Sequence, residues 1–258
     1  MKPLSRPPLT AILSALPEEQ HGLLERLQGA QKQTVAGRDF WLGQLHGQPV
    51  VLGLSRIGKV SATLTAAVLI GHLGASRMVF TGVAGGLAQG VKVGDVVVAH
   101  DFIQHDLDAS PLFPRYEVPL YGRSRFACDA SLTALLALAA DRALATASNA
   151  ASPIWPGAQV HLGLIASGDR FVSSADESRR LQAALEGAGH KALAVEMEGA
   201  AVAQVCADYG VAFAAMRTIS DRADDTAHLD FPAFVTTVAS RYAQRIMDEL
   251  LQSLPAPN

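Results

Sequence analysis

The chain has 258 residues, 49% of them hydrophobic and 17% charged, so it can bury one large core and reads as a single globular domain. A formal net charge of -3, with lysine and arginine scattered rather than clustered, excludes nucleic acid as the main partner. No apolar run approaches the roughly 20 residues of a membrane-spanning helix, and Cys128 and Cys206 match no metal or redox spacing, which suits a reducing, cytoplasmic compartment.

At the start of the chain, Lys2 and Arg6 precede a short apolar run at residues 9–15. Prolines at 3, 7 and 8 interrupt its approach and acids follow it, so a secretory signal is disfavoured. Residues 1–8 read as a flexible extension and 9–15 as a first buried strand. Pro17-Glu18-Glu19 has the character of a helix start, with Leu23, Leu24 and Leu27 following at helical spacing. Glu19 therefore belongs in the first turn of a helix that follows a strand. Residues 41–45 and 49–54 read as strands joined by a turn at His46-Gly47-Gln48. Residues 59–73 read as a helix ended by Gly74, 78–81 as a strand, and 82–86 as a tight glycine turn.

Residues 94–99 give another strand. The segment 102–126, with prolines at 111, 114 and 119 and no helical period, reads as a long loop of the kind that is functional or interfacial. Residues 131–144 read as an amphipathic helix, 149–157 as a loop and 160–166 as a strand leading into Ser167-Gly168-Asp169. A helix at 174–185, a strand at 191–195, a helix at 199–209 and a strand at 211–219 closed by Ser220-Asp221 follow. A polar loop then runs to Asp230, and Phe231, Phe234, Val235, Val238, Tyr242, Ile246 and Leu250 keep a helical stripe. Cys128 and Cys206 are expected inside helices as small core residues. Strands alternating with helices predict an α/β fold with a parallel or mixed central sheet flanked by helices.

The densest chemistry lies in Val195-Glu196-Met197-Glu198, where two acids sit at the carboxyl end of a buried strand. That edge is where ligands bind in open α/β sheets. A single glutamate there would serve as a first-turn helix acid, but a pair beside an apolar run is costly to desolvate without partners. Glu19, Glu198 and Asp221, with Asp169 as a weaker fourth, are acids at the ends of different strands. If they converge, they suit general acid and base chemistry on a sugar-like or heterocyclic substrate. Gly53 to Lys59 nearly spells a phosphate-cradling loop, but Val60 stands where that motif needs Ser or Thr. His100, Asp101, His105, Asp106 and Asp108 could in composition hold a metal. Their spacing matches no known site, and they read as polar ends of a strand.

Several motifs taken together resemble the 5'-methylthioadenosine/S-adenosylhomocysteine nucleosidases of the nucleoside phosphorylase superfamily. They are Glu18-Glu19, Ser55-x-Ile57-Gly58-Lys59-Val60, Thr81-Gly82-x-Ala84-Gly85-Gly86, Val93-Gly94-Asp95, Ser167-Gly168-Asp169-x-Phe171, Val195-Glu196-Met197-Glu198 and Arg217-x-Ile219-Ser220-Asp221. The resemblance implies one three-layer α/β/α domain with a central mixed sheet. It implies a homodimer that hydrolyses adenine from a ribosyl thioether without metal or organic cofactor. It also assigns roles. Glu19 is similar to the base that activates water, and Asp221 to the acid that protonates N7 of adenine. Glu198 resembles the carboxylate that grips the ribose hydroxyls, with Met197 packed below the sugar. Phe171 would stack on the base while the Val172 backbone reads its edge, Ile57 and Gly85 would line the pocket, and Arg217 and Ser220 complete the expected substrate-binding set.

The alternatives are a related purine nucleosidase of the futalosine type, a nucleoside phosphorylase, or a non-catalytic nucleoside-binding protein. Three places depart from the family pattern, the first being Pro17, which stands where relatives often carry a further acid and should leave Glu19 unaffected. Arg56 stands where many relatives carry glycine and is expected to face the acids, and the 102–126 segment, which the resemblance places near a dimer interface, fits poorly. The latter leaves the preferred 5' substituent open.

Overall fold

A computed structural model of the protein describes residues 8–147, 157–224, 227 and 234–256. The expected extension, apart from Pro8, and the expected loop at 149–157, apart from Gly157, lie outside these residues. So do Phe231 and most of the polar loop that ends at Asp230.

The first half of the chain forms β1 (Thr10–Ser14), α1 (Pro17–Leu24), β2 (Gln28–Val35), β3 (Arg38–Leu45), β4 (Gln48–Leu54), α2 (Lys59–Gly71), β5 (Arg77–Gly86), β6 (Val96–Gln104) and β7 (Arg125–Ala127). The second half forms α3 (Ala130–Ala147), β8 (Val160–Ser167), α4 (Ala175–Gly187), β9 (Ala192–Glu196), α5 (Gly199–Tyr209) and β10 (Ala212–Asp221). A π-helical turn (Val235–Ala239) and α6 (Ser240–Ser253) end it.

Strand β1 is flanked by β4 and β5, all three parallel. Its run of apolar residues is buried on both faces, as the sequence of such a strand requires. Ala11 and Leu13 pack with Ala62, Ala66 and Leu69 of α2 and Ala200, Ala203 and Cys206 of α5. Ile12 faces the other way, toward Leu23 of α1, Leu132 and Leu136 of α3, and Tyr242, Ile246 and Leu250 of α6. The result is the three-layer α/β/α arrangement, with α4 covering β9 through Leu185.

The sheet is mixed, and part of it closes on itself. β5 pairs in parallel with β10, β10 antiparallel with β6, and β6 runs parallel to β8 and β8 to β9. β9 then returns antiparallel to β5, with Val195 opposite Gly85 and Ala194 opposite Gly86. This closure positions the site, because the carboxyl ends of two oppositely running sets of strands meet at Gly85 and Val195.

Three expectations need correction, and one strand was not expected at all. Residues 82–86 are not a turn: they continue β5, none of Gly82, Gly85 and Gly86 has a positive φ, and the missing side chains serve close approach instead. Strand β2, Gln28 to Val35, had no signal because its exposed, polar sequence lacks alternation, yet it forms the sheet edge by pairing with β3. Cys128 lies between β7 and α3 rather than in a helix, although both cysteines are buried and free. The 102–126 segment is shorter than expected, because β6 extends to Gln104 and β7 begins at Arg125.

Candidate active site

Glu19 is placed by its own helix. Pro17 opens α1 in a position that suits its fixed φ, and Glu19 reaches back so that Oε2 accepts the N–H groups of Ala15 at 2.7 Å and Leu16 at 2.9 Å. Its Oε1 accepts the Val83 N–H of β5 at 3.2 Å. A Cβ on Gly82 would sit 3.2 Å from that oxygen, so glycine there lets β5 approach the carboxylate. Burial pushes the Glu19 carboxyl above its ordinary value, and the N–H groups of Leu16, Ala15 and Val83 and the charge of Arg217 offset this only in part.

The two acids of the β9 edge differ in role. Glu196 is saturated: Oε2 accepts from Arg217 Nη2 at 2.6 Å, from Gly199 N–H at 2.9 Å and from Glu198 N–H at 3.2 Å. Its Oε1 takes the Ser167 hydroxyl and the Gly199 N–H. It therefore caps α5 and holds the strand ends of β8 and β9 together. Glu198 instead directs its side chain across the cavity, where Oε1 accepts the Gly58 N–H at the start of α2, at 2.8 Å. Burial raises the Glu198 carboxyl above its ordinary value, and the charge of Glu196 raises it further.

Asp221, the last residue of β10, is buried beside β5. Its Oδ1 accepts the Ala223 N–H at 2.8 Å, and its Oδ2 accepts the Ser220 hydroxyl at 2.8 Å. A Cβ on Gly85 would lie 2.9 Å from Oδ1, so only glycine leaves this carboxyl room. Glu19, Glu196, Glu198 and Asp221 all line one cavity of about 310 Å³. Ala15, Leu16, Ile57, Val83, Ala84, Gly85, Phe171, Val172, Val195 and Met197 supply most of the remaining wall, which makes the cavity apolar apart from its acids, Ser220 and Arg170. Phe171 and Ile57 stand at its mouth, 39% and 56% exposed. Three acids from α1, the β9 edge and β10, each held by backbone N–H groups, can polarise water, grip hydroxyls and donate a proton around a flat apolar ligand.

The sequence model of the phosphorylase superfamily matches residues 10–252. The chain belongs to this superfamily. Among its relatives, the 5'-methylthioadenosine/S-adenosylhomocysteine nucleosidase of Geobacillus kaustophilus is 34% identical over 242 residues, covering 93% of this chain and 95% of that one. The nucleosidase of Neisseria meningitidis, solved in complex with methylthio-immucillin-A, superposes with a TM-score of 0.83 at 35% identity, over 95% of this chain and 99% of that one. The futalosine hydrolase of Helicobacter pylori superposes equally well, with a TM-score of 0.83 at 32% identity over 96% and 98% of the two chains.

In this member of the superfamily, Glu19, Ile57, Gly85, Phe171, Val172, Met197, Glu198, Ser220 and Asp221 all reach the cavity wall. Arg217 does not. Although expected against substrate, it is buried beneath the wall on Glu196, donates to the carbonyls of Phe80 and Met216, and lies 4.1 Å from the Phe80 ring centroid. Arg56 is a second correction, because it turns away from the acids and donates to the Gly37 carbonyl at 2.7 Å. Asp169 stands outside the lining and accepts the Lys59 N–H. The near phosphate loop supplies backbone N–H groups to Glu198 and Asp169 instead of to a ligand. Among the described residues no group of three or more His, Cys, Asp or Glu side chains could hold a metal, so His100, Asp101, His105, Asp106 and Asp108 form no such site. Ala15, Leu16, Val83 and Arg170 also line the wall, and they carry no signal of their own in the sequence.

Proposed function

We propose that the chain hydrolyses the N-glycosidic bond of 5'-methylthioadenosine and S-adenosylhomocysteine, releasing adenine and the thioribose. The observation that carries this reading is the enclosure of Glu19, Glu198 and Asp221 by one apolar cavity, in a chain whose relatives are named for that hydrolysis. Breaking this bond builds positive charge on the ribose and negative charge on the departing base. Anions therefore belong beside the sugar and a proton donor beside the purine.

Glu19, whose carboxylate is made a stronger base by burial, takes a proton from the water that attacks the anomeric carbon. Glu198 grips the ribose hydroxyls above Met197, and its attraction strengthens as the sugar becomes cationic. Asp221, oriented by Ser220 and the Ala223 N–H, gives a proton to N7 as the bond electrons pass to the base. Phe171 stacks on the purine, the Val172 backbone reads its edge, and Ile57 and Gly85 bound the site.

In this reading the chain works in the cytoplasm as one catalytic domain paired in a homodimer. Free, buried cysteines agree with a reducing compartment, and no described helix is long and apolar enough to cross a membrane. Leu112 and Leu120 of the irregular segment are 84% and 92% exposed, and Val60 on α2 is 81% exposed, apolar side chains of the kind that a second copy would cover.

An adenine-release assay on 5'-methylthioadenosine, S-adenosylhomocysteine, adenosine and futalosine tests the proposal. Preferred turnover of the two thioethers is expected. Turnover confined to futalosine would move the chain to the activity of its Helicobacter neighbour, and none on any nucleoside would reduce it to a binding protein.

A further inference from the structure

Three loops that leave different strands are locked together at the rim of the cavity. The first, after β4, ends at Lys59, the first residue of α2; the second carries Asp106 beyond β6; the third carries Asp169 beyond β8. The Lys59 backbone N–H donates to Asp169 Oδ1 at 2.7 Å, and the Asp169 N–H donates to Asp106 Oδ2 at 2.8 Å. The Lys59 ammonium closes the ring, bonding Asp106 Oδ1 and lying 3.9 Å from Asp169 Oδ2. Its side chain is only 15% exposed, although those of Asp106 and Asp169 are 31% and 49% exposed.

The position of this ring gives it a use. Ile57 and Gly58 precede Lys59; Ile57 lines the cavity, and the Gly58 N–H holds Glu198. Arg170, Phe171 and Val172, which follow Asp169, line the same cavity. Consecutive N–H groups at the start of α2 thus hold two carboxylates from different loops, Glu198 and Asp169, and a third carboxylate, Asp106, faces the second. Without a cation these acids would repel one another and spread the loops. Burial works against a charged Asp106, yet the Lys59 ammonium and the Asp169 N–H outweigh it and hold its carboxyl below the ordinary value.

We infer that Lys59 is a positioning residue: by neutralising Asp106 and Asp169 it fixes the spacing between the Ile57–Gly58 rim and the Phe171–Val172 rim, and so sets how tightly the purine is held. This inference rests on the cavity being the nucleoside site. Lys59→Met is expected to raise both the KM for 5'-methylthioadenosine and the Kd for adenine by about five- to tenfold, the scale of a ~1 kcal/mol coupling. The saturated kcat should change by less than about threefold, because no reacting atom is touched. Amide exchange in peptides spanning residues 168–172 should quicken, and Lys59→Arg should restore most of the affinity by keeping the charge. A folded Lys59→Met protein with KM and adenine Kd within about twofold of wild type, or one losing kcat alone, overturns the inference. Should Lys59→Met not fold, Lys59→Gln, which also removes the charge that faces Asp106 and Asp169, is read by the same criteria. Failure of the wild-type protein to bind adenine would instead strike the nucleoside reading itself.

Discussion

Arg217 Nη2 lies 2.6 Å from Glu196 Oε2, with the two side chains 2% and 3% exposed. Glu196 lines the cavity beside Glu198, and the guanidinium that it holds is the positive charge that moderates both Glu19 and Glu198. Arg217→Met should cost about 3–5 kcal/mol of stability, because it leaves a buried carboxylate without its counterion. Chemical denaturation checks this. A loss below about 1 kcal/mol, the scale of an exposed pair, would show that the pair is dispensable.

Asp221→Asn is expected to lower kcat by roughly 10²- to 10⁴-fold while leaving the fold intact, since the amide keeps the size and deletes the proposed proton donor. Turnover of the folded variant measures it. Activity within a few-fold of wild type would remove Asp221 from the acid role.

Gly85→Ala probes the same carboxyl from the other side. The added Cβ would meet Asp221 Oδ1 and the Ala223 side chain, each at 2.9 Å. Overpacking of this kind costs about 1–3 kcal/mol, and here it also shifts the carboxyl, so kcat should fall more than stability explains. Unchanged kinetics would mean that Asp221 has slack.

Glu198→Gln tests the electrostatics through pH. In the folded protein the Glu198 carboxyl is raised above its ordinary 4.5, so as pH climbs past that value the unfolded chain releases its proton first. Stability tied to this group is therefore complete below about pH 4.5 and is lost as pH rises through the folded value. Glutamine keeps a carbonyl oxygen for the Gly58 N–H but has no such loss. The melting temperature of the variant minus that of wild type should thus grow between pH 5 and pH 8. A difference that stays constant across that range would contradict the raised value.

The reaction should ignore phosphate. A phosphorylase must hold a dianion beside the ribose, which calls for arginine forks or nests of N–H groups. Here Arg217 is spent on Glu196, Arg56 on the Gly37 carbonyl, and Arg170, at the cavity edge, on Glu177 at 2.7 Å. Glu19 would also repel phosphate from the position of the attacking water. Initial rates with and without phosphate should agree, and the sugar product should be free thioribose. Phosphate-dependent formation of a ribose 1-phosphate would reverse this, with Arg170 the first residue to examine.

The sequence by itself determined what is local. Apolar runs marked β1, β8 and β10 as buried strands, Pro17 and the acids after it marked the start of α1, and the placing of Glu19, Glu198 and Asp221 at element ends marked them as candidates. Only the tertiary structure decided which acids are exposed to the cavity and which are consumed by the fold. Glu196 and Glu198 are near neighbours with the same side chain, yet one is neutralised by Arg217, 21 residues away, and the other is held by Gly58, 140 residues away. No local pattern encodes those partners. The glycines of β5 were misread as a turn for the same reason: glycine permits both positive φ and close approach, and the choice was made by β9 pairing back onto Gly85 and Gly86 and by the carboxyls of Glu19 and Asp221 pressing against Gly82 and Gly85.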